Sequence, residues 1–186
     1  MIELAPEFNE FRKCWETLPR TAHPLIPAKR DITPARMGEM LHYIGIGEMR
    51  GHEDMQVLFY GAGIERVSGI KVTGKNYYDL LPSAFVKPLS VFHAYILGTP
   101  CGAFVSDVIA TPSGARYEYQ SLQYPLADDH GEAKYLLVYG RARIPYDDNS
   151  ERESASFHRD SIKDMHYIDL GAGAPSACIE NFIFHR

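Results

Sequence analysis

The chain has 186 residues, of which 45% are hydrophobic and 12% aromatic, and a formal charge of −5. That length buries roughly 70% of the unfolded surface, so one domain folds without disulfides or metal. A pI near 5.9 argues against nucleic-acid binding, which draws its affinity from basic patches.

No apolar run approaches the roughly 20 residues that span a bilayer, and Met1-Ile2-Glu3-Leu4-Ala5-Pro6-Glu7 lacks the pattern of an export signal, so the expected compartment is the cytoplasm. Pro6 suits a first helical turn. Phe8, Phe11, Trp15 and Leu18 then recur at helical spacing until Pro19. This aromatic stripe either covers the back of the domain's own sheet or pairs with the same stripe of a second copy. A Pro-rich, basic connector occupies 21–30, and Thr33-Pro34 opens a helix through Leu41 with Thr33 as its cap.

Strands are expected at His42 to Arg50 and from Met55 to Tyr60, joined by a polar turn. Gly61 and Gly63 end the second. One helical turn at Ile64 to Ser68 follows, then a short helix capped by Asn76 and stopped by Pro82, then a longer one from Ala84 to Leu97. Three strands come next, Gly102 to Ala110, Arg116 to Tyr124 and Lys134 to Arg143, with turns at 111–114 and 128–131. Tyr135-Leu136-Leu137-Val138-Tyr139 is apolar on both faces, which predicts a central strand covered on both sides. These patterns predict an α+β fold: a five-stranded antiparallel sheet with short helices on one face and the amino-terminal helix on the other. The expected organisation is a helix over 1–20, a domain over 21–143 and a partly ordered tail over 144–186. The tail opens on an acidic linker, 146–156, and its scattered apolar residues, from Met165 to Phe184, suffice to dock on the domain or a partner.

Catalytic and metal signatures are weak. Tyr167-Ile168-Asp169-Leu170-Gly171-Ala172-Gly173-Ala174 imitates a nucleotide-cofactor turn, yet only 13 residues follow Gly173, too few for the strand and acidic residue such a site requires. Those glycines are therefore read as a turn. Cys14, Cys101 and Cys178 are odd in number and widely spaced, and the eight histidines form no ligand pair. The pairs Ser106-Asp107, Asp128-Asp129 and Asp147-Asp148 are read as solvated polar positions rather than acid–base machinery.

Several phrases in fixed order resemble the PAS domain, a sensory and interaction module, and in particular its small free-standing bacterial proteins. They are the Trp15 helix ending in Pro19-Arg20, Pro27, Asp31-Ile32-Thr33-Pro34, Gly69-x-x-x-Thr73-Gly74-Lys75, Tyr78-Asp79-Leu80-Leu81-Pro82, and Tyr124-Pro125-Leu126-Ala127-Asp128-Asp129. The match runs from Trp15 to Arg143. Leu58 departs from it, standing where the subfamily often has arginine. The resemblance implies a non-enzymatic regulatory module in bacterial signalling that binds a small ligand, a partner protein or both, and that dimerises through a flanking helix.

Candidate pocket walls are Tyr60, Tyr77, Phe92, His93, Tyr95, Phe104, Tyr119 and Tyr139, aromatic faces with a few hydroxyls that suit a small, partly apolar molecule. Candidate dimer residues are Phe8, Phe11, Trp15 and Leu18. No catalytic residue and no metal ligand is assigned. Haem is disfavoured, since His93 is the lone histidine on its helix. Flavin photochemistry is disfavoured too, because Tyr77 follows Gly74-Lys75-Asn76 where that class has its reactive cysteine. An enzyme with His93 as acid or base, and a ligand-free adaptor, are the competing readings.

Overall fold

The computed structural model describes residues 4–68, 71–110, 116–145 and 162–175. Gly69, the turn at 111–114, the acidic run 146–156 with Asp147-Asp148, His158, Cys178, Ile179, Phe182 to Phe184 and His185 lie outside the described residues.

Helix α1 (Pro6–Thr17) begins with proline in its first turn, as expected. Its end explains the tryptophan and Pro-Arg phrase. Pro19 cannot continue the helix, and Arg20 folds back so that Nη1 donates to the carbonyls of Trp15 and Glu16 at 2.9 Å each, and to that of Leu18. The guanidinium lies 4.5 Å from the Trp15 ring centre. A cation placed there satisfies carbonyls that the helix itself leaves open.

The expected helix from Pro34 to Leu41 is broken in two: α2 (Pro34–Met37) and a 3-10 segment (Gly38–Tyr43). Gly38 has φ of +52°, a conformation that interrupts α-helical hydrogen bonding and that glycine adopts without penalty. Thr33 starts α2 through its backbone alone, with no capping bond from its side chain. Strands β1 (Ile44–Gly51) and β2 (Asp54–Tyr60) then form the hairpin. Helix α3 (Ala62–Ser68), a 3-10 turn (Tyr77–Leu80) and α4 (Ser83–Gly98) cross over to β3 (Gly102–Ala110), β4 (Arg116–Ala127) and β5 (Ala133–Pro145).

Asn76 ties this crossover to the hairpin. Its Oδ1 accepts from Met55 N at 3.0 Å and Tyr78 N at 3.2 Å, while Nδ2 donates to Glu53 O and Asp79 Oδ1, both at 3.1 Å. The cap expected at Asn76 is thus also a clamp on the β1–β2 turn.

Among the described residues the sheet has six strands, not five, in the order β2-β1-β5-β4-β3-β6. The sixth, β6 (Ile162–Ile168), comes from the tail and pairs antiparallel with β3. It covers an edge that would otherwise present unpaired N–H and C=O groups. Its Met165 is buried in the core under α4. Beyond β6, Asp169 Oδ1 accepts from the backbone nitrogens of Gly171 at 2.7 Å and Gly173 at 2.9 Å, so the glycine phrase is a turn.

Two cores lie on opposite faces, separated by strand alternation. On one face Phe8, Phe11 and Trp15 of α1 meet Ile44, Phe104, Leu122, Tyr124 and Tyr139. Phe11 stacks on Tyr139 at 4.7 Å and Trp15 on Tyr124 at 4.5 Å between ring centres. On the other face Phe85, Leu89, Phe92 and Ile96 of α4 cover Ala103, Leu136 and Met165. Strand β5 sits centrally between both layers, as its double apolar pattern requires.

This arrangement agrees with the first of the two readings of the α1 stripe. Phe8, Phe11, Trp15 and Leu18 are all buried in the domain's own core. The stripe covers the back of the sheet, packed on the aromatic rings of β4 and β5.

Candidate functional site

The helix-covered face of the sheet is not fully packed. On β1 the residues turned toward α3 and α4 are Gly45 and Gly47, which fill no space, while Ile44 and Ile46 pack in the α1 core. A cavity of about 210 Å³ lies on this face. On β2 the register with β1 shifts between Ile46 and Gly47, leaving Leu58 as the extra residue. Such a bulge reverses the side-chain alternation. Tyr60 therefore joins Met55 and Val57 on the cavity side.

Most of the wall is apolar: Val57, Ile64, Val72, Leu80, Leu81, Phe85, Leu89, Val105, Leu136 and Val138. Ile162 of β6 lines it as well, so the tail contributes to the cavity it flanks. The polar groups divide into three sets.

The first set is Asp107 of β3 and Tyr119 of β4, which face each other across the strand pair, with Tyr60 and Tyr77 nearby. Desolvation raises the Tyr77 and Tyr119 phenols far above their ordinary value, and neighbouring charges push the same way: Tyr78, Asp107 and Tyr60 on Tyr77, and Tyr60, Tyr77 and Asp107 on Tyr119. Tyr77 and Tyr119 therefore stay neutral at physiological pH. A Cβ at Gly140 of β5 would overlap the Tyr119 hydroxyl, so the glycine is what lets Tyr119 lie across β5.

The second set is a hydrogen-bond chain through α4. Glu53 N donates to Ser90 Oγ at 3.2 Å. Burial raises the Tyr78 phenol above its ordinary value, and the hydrogen bond it shares with Ser90 opposes that rise. Tyr78 Oη lies 2.9 Å from His93 Nδ1. A neutral ring pairs with Tyr78 in either tautomer, Nδ1 accepting from the phenol or donating to it. His93 is only 2% exposed, and desolvation pushes its pKa down to about 3. The ring is neutral, held by its tyrosine partner.

The third set is Ser121 and Gln123, which follow Tyr119 at alternate positions of β4. Gln123 Nε2 donates to Ser121 Oγ at 3.3 Å, while its Oε1 is buried without a partner.

Four of the eight candidate wall residues meet at the cavity: Tyr60, Tyr77, His93 and Tyr119. The other four do not. Phe104 and Tyr139 belong to the α1 core, because their strand neighbours Val105 and Val138 take the cavity face and alternation sends them to the other. Phe92 turns away from the cavity to stack on Tyr167 at 5.1 Å. Tyr95, 41% exposed, stands beside Tyr167 at the outer side of α4.

Two further residues depart from the sequence reading. Ser106 and Asp107 are buried rather than solvated. Ser106 donates to Glu118 Oε1 at 3.0 Å on the opposite face, while Asp107 enters the cavity wall. Asp128 does stand in a turn, accepting from the backbone nitrogens of His130 and Glu132 at 2.9 Å each. Asp107, Ser121 and Gln123 escaped the sequence search, although a signal existed: once Tyr119 is assigned to the cavity, positions 121 and 123 share its face.

Strand order and the helical crossover between β2 and β3 define a PAS-like fold, extended by β6. No protein-family model matches the chain, and no curated protein matches it. Among solved structures, one of VqmA bound to DPO is 16% identical, with a TM-score of 0.45, over 59% of this chain and 56% of that one. A light-oxygen-voltage domain structure with a flavin analogue is 15% identical, with a TM-score of 0.46, over 59% of this chain and 83% of that one. An RNA-binding light-oxygen-voltage receptor is 18% identical, with a TM-score of 0.43, over 68% and 36%. The chain thus spans about half the length of the VqmA structure it matches.

Proposed function

We propose that this chain is a non-enzymatic PAS-type sensory module of bacterial signal transduction, acting in the cytoplasm on a signalling partner protein. A small, partly apolar molecule occupies the cavity, and its occupancy biases the docking of β6 and the tail beyond it. The observation that carries this reading is the cavity of about 210 Å³, walled in part by Ile162 of β6. A ligand that touches β6 binds its docked and undocked states with different affinity, and only such a difference shifts a population. The volume lies below the roughly 300–1,000 Å³ typical of pockets for drug-sized ligands, which favours a small metabolite over a macrocycle. Net charge of −5 favours a protein partner over nucleic acid. With the α1 stripe buried, a homodimer draws on another face.

An enzyme reading has one observation in its favour, the buried Asp107 among tyrosines of the cavity wall. His93, the base first considered for it, is neutral and tied to Tyr78. Native mass spectrometry of freshly purified protein tests the sensory reading against both alternatives. The expected spectrum shows a small organic molecule retained by wild type and lost in Val138→Phe, which fills the cavity. A retained molecule converted by wild type but not by Asp107→Asn supports the enzyme. Wild type without any ligand, together with a Val138→Phe variant of raised melting temperature, supports an adaptor whose cavity is a packing defect.

A further inference from the structure

The row formed by Tyr119, Ser121 and Gln123 runs roughly 13 Å along the cavity face of β4. Asp107 and the tyrosines stand at one end. At the other, Gln123 is flanked by Ala103 on β3 and Val138 on β5, and is 8% exposed. Its carboxamide reaches one partner, Ser121, and its oxygen reaches none. A buried carbonyl left unpaired is costly, and native structures rarely leave one without a reason.

Turning the amide over does not remove the deficit. Ser121 would then donate to Oε1, and Nε2 would be the atom without a partner. In either orientation the pair keeps one donor and one acceptor side by side: the Ser121 hydroxyl with Gln123 Oε1, or Gln123 Nε2 with Ser121 Oγ. Beside the pair lie the apolar side chains of Leu136 and Val138. No lysine or arginine lines the cavity among the described residues, so an anionic ligand would be desolvated without a counter-charge.

We infer that the ligand is an uncharged small molecule with one group that both donates and accepts, a hydroxyl or an amide, seated on Ser121 and Gln123, with its apolar body against Leu136 and Val138. This rests on the reading of the cavity as a ligand site. The group satisfies Gln123 and Ser121 together, which an ether, a ketone or a hydrocarbon cannot do. An ammonium group seated on Ser121 and Gln123 would likewise be desolvated without a counter-charge beside it, since Asp107 stands at the other end of the row.

The test uses five probes of similar shape, followed by amide chemical shifts of the full chain: benzamide, benzyl alcohol, toluene, benzoate and benzylamine. Benzamide and benzyl alcohol bind about tenfold more tightly than toluene, the worth of about one satisfied hydrogen bond, and benzoate and benzylamine bind more weakly still. Gln123→Leu removes the preference for benzamide while leaving toluene affinity within about twofold, a change too small to reflect a lost hydrogen bond. Ser121→Ala, which alters no apolar contact of the body, does the same and serves if Gln123→Leu fails to fold. Probes that bind with toluene equal to benzamide, or with a charged probe preferred, overturn the ligand class and leave the sensory reading standing. If no probe shifts the cavity resonances and no molecule co-purifies, both fall together.

Discussion

Phe11→Ala lowers the stability of the chain by about 3–5 kcal/mol while leaving its oligomeric mass unchanged. The ring is 0% exposed and stacks between Tyr139 at 4.7 Å and Tyr124 at 5.9 Å. Phe8 adds edge contacts to Tyr139 at 5.5 Å and Phe104 at 6.1 Å. Removing Phe11 opens a void between rings held by strands that cannot close over it, so the loss falls at the upper end for large-to-small changes. Urea denaturation at two protein concentrations measures it. A stability loss that grows on dilution, with a smaller native mass, would instead place the stripe between two copies.

His93 gives the second large effect, and its direction follows from linkage. The unfolded histidine titrates near 6.5, whereas the native ring is held neutral down to about 3 by desolvation. Between those values the unfolded chain binds a proton that the native chain does not. Stability is therefore full above pH 6.5 and falls with decreasing pH by about 1.4 kcal/mol per unit until the native ring protonates. From pH 7 to pH 4 wild type loses about 3 kcal/mol more than His93→Gln, which has no proton to take up. Denaturation curves of both proteins at the two pH values give the difference. Equal slopes would mean that His93 protonates in the folded chain, with its ring reaching water and its bond with Tyr78 exchanged for another.

The fold was largely legible because each layer left a periodic trace. The α1 stripe, the apolar face of α4 and the doubly apolar β5 all mark burial directly, and they placed both helical layers. Strand β6 was hidden by its composition: Lys163, Asp164 and His166 interrupt the apolar residues, and only pairing with β3 reveals a strand. Gly38 hid the break in the α2 helix, since helical spacing continues through it while the backbone does not.

The site was legible only by half, for a related reason. A strand apolar on both faces cannot say which face looks into a cavity, so Tyr139 and Tyr119 carried equal weight until register separated them. The bulge at Leu58 that turns Tyr60 inward has no sequence signature of its own. Gly45 and Gly47 face the cavity and Gly140 admits the Tyr119 hydroxyl, and residues without side chains do not announce what approaches them. Asn76 is the converse case. Its capping role was visible from local chemistry, and the clamp on the distant turn at Glu53 was not.

Coupling between the cavity and β6 is the claim on which the sensory account stands. Hydrogen exchange across Ile162–Ile168, compared between wild type freed of ligand and Val138→Phe, measures it most directly. Filling the cavity beside Ile162 slows exchange in β6 and in the β3 residues that pair with it, with little change in α1 on the opposite face. Unchanged exchange in β6, with protection confined to α3 and α4, would contradict the account and leave the cavity without a route to the tail.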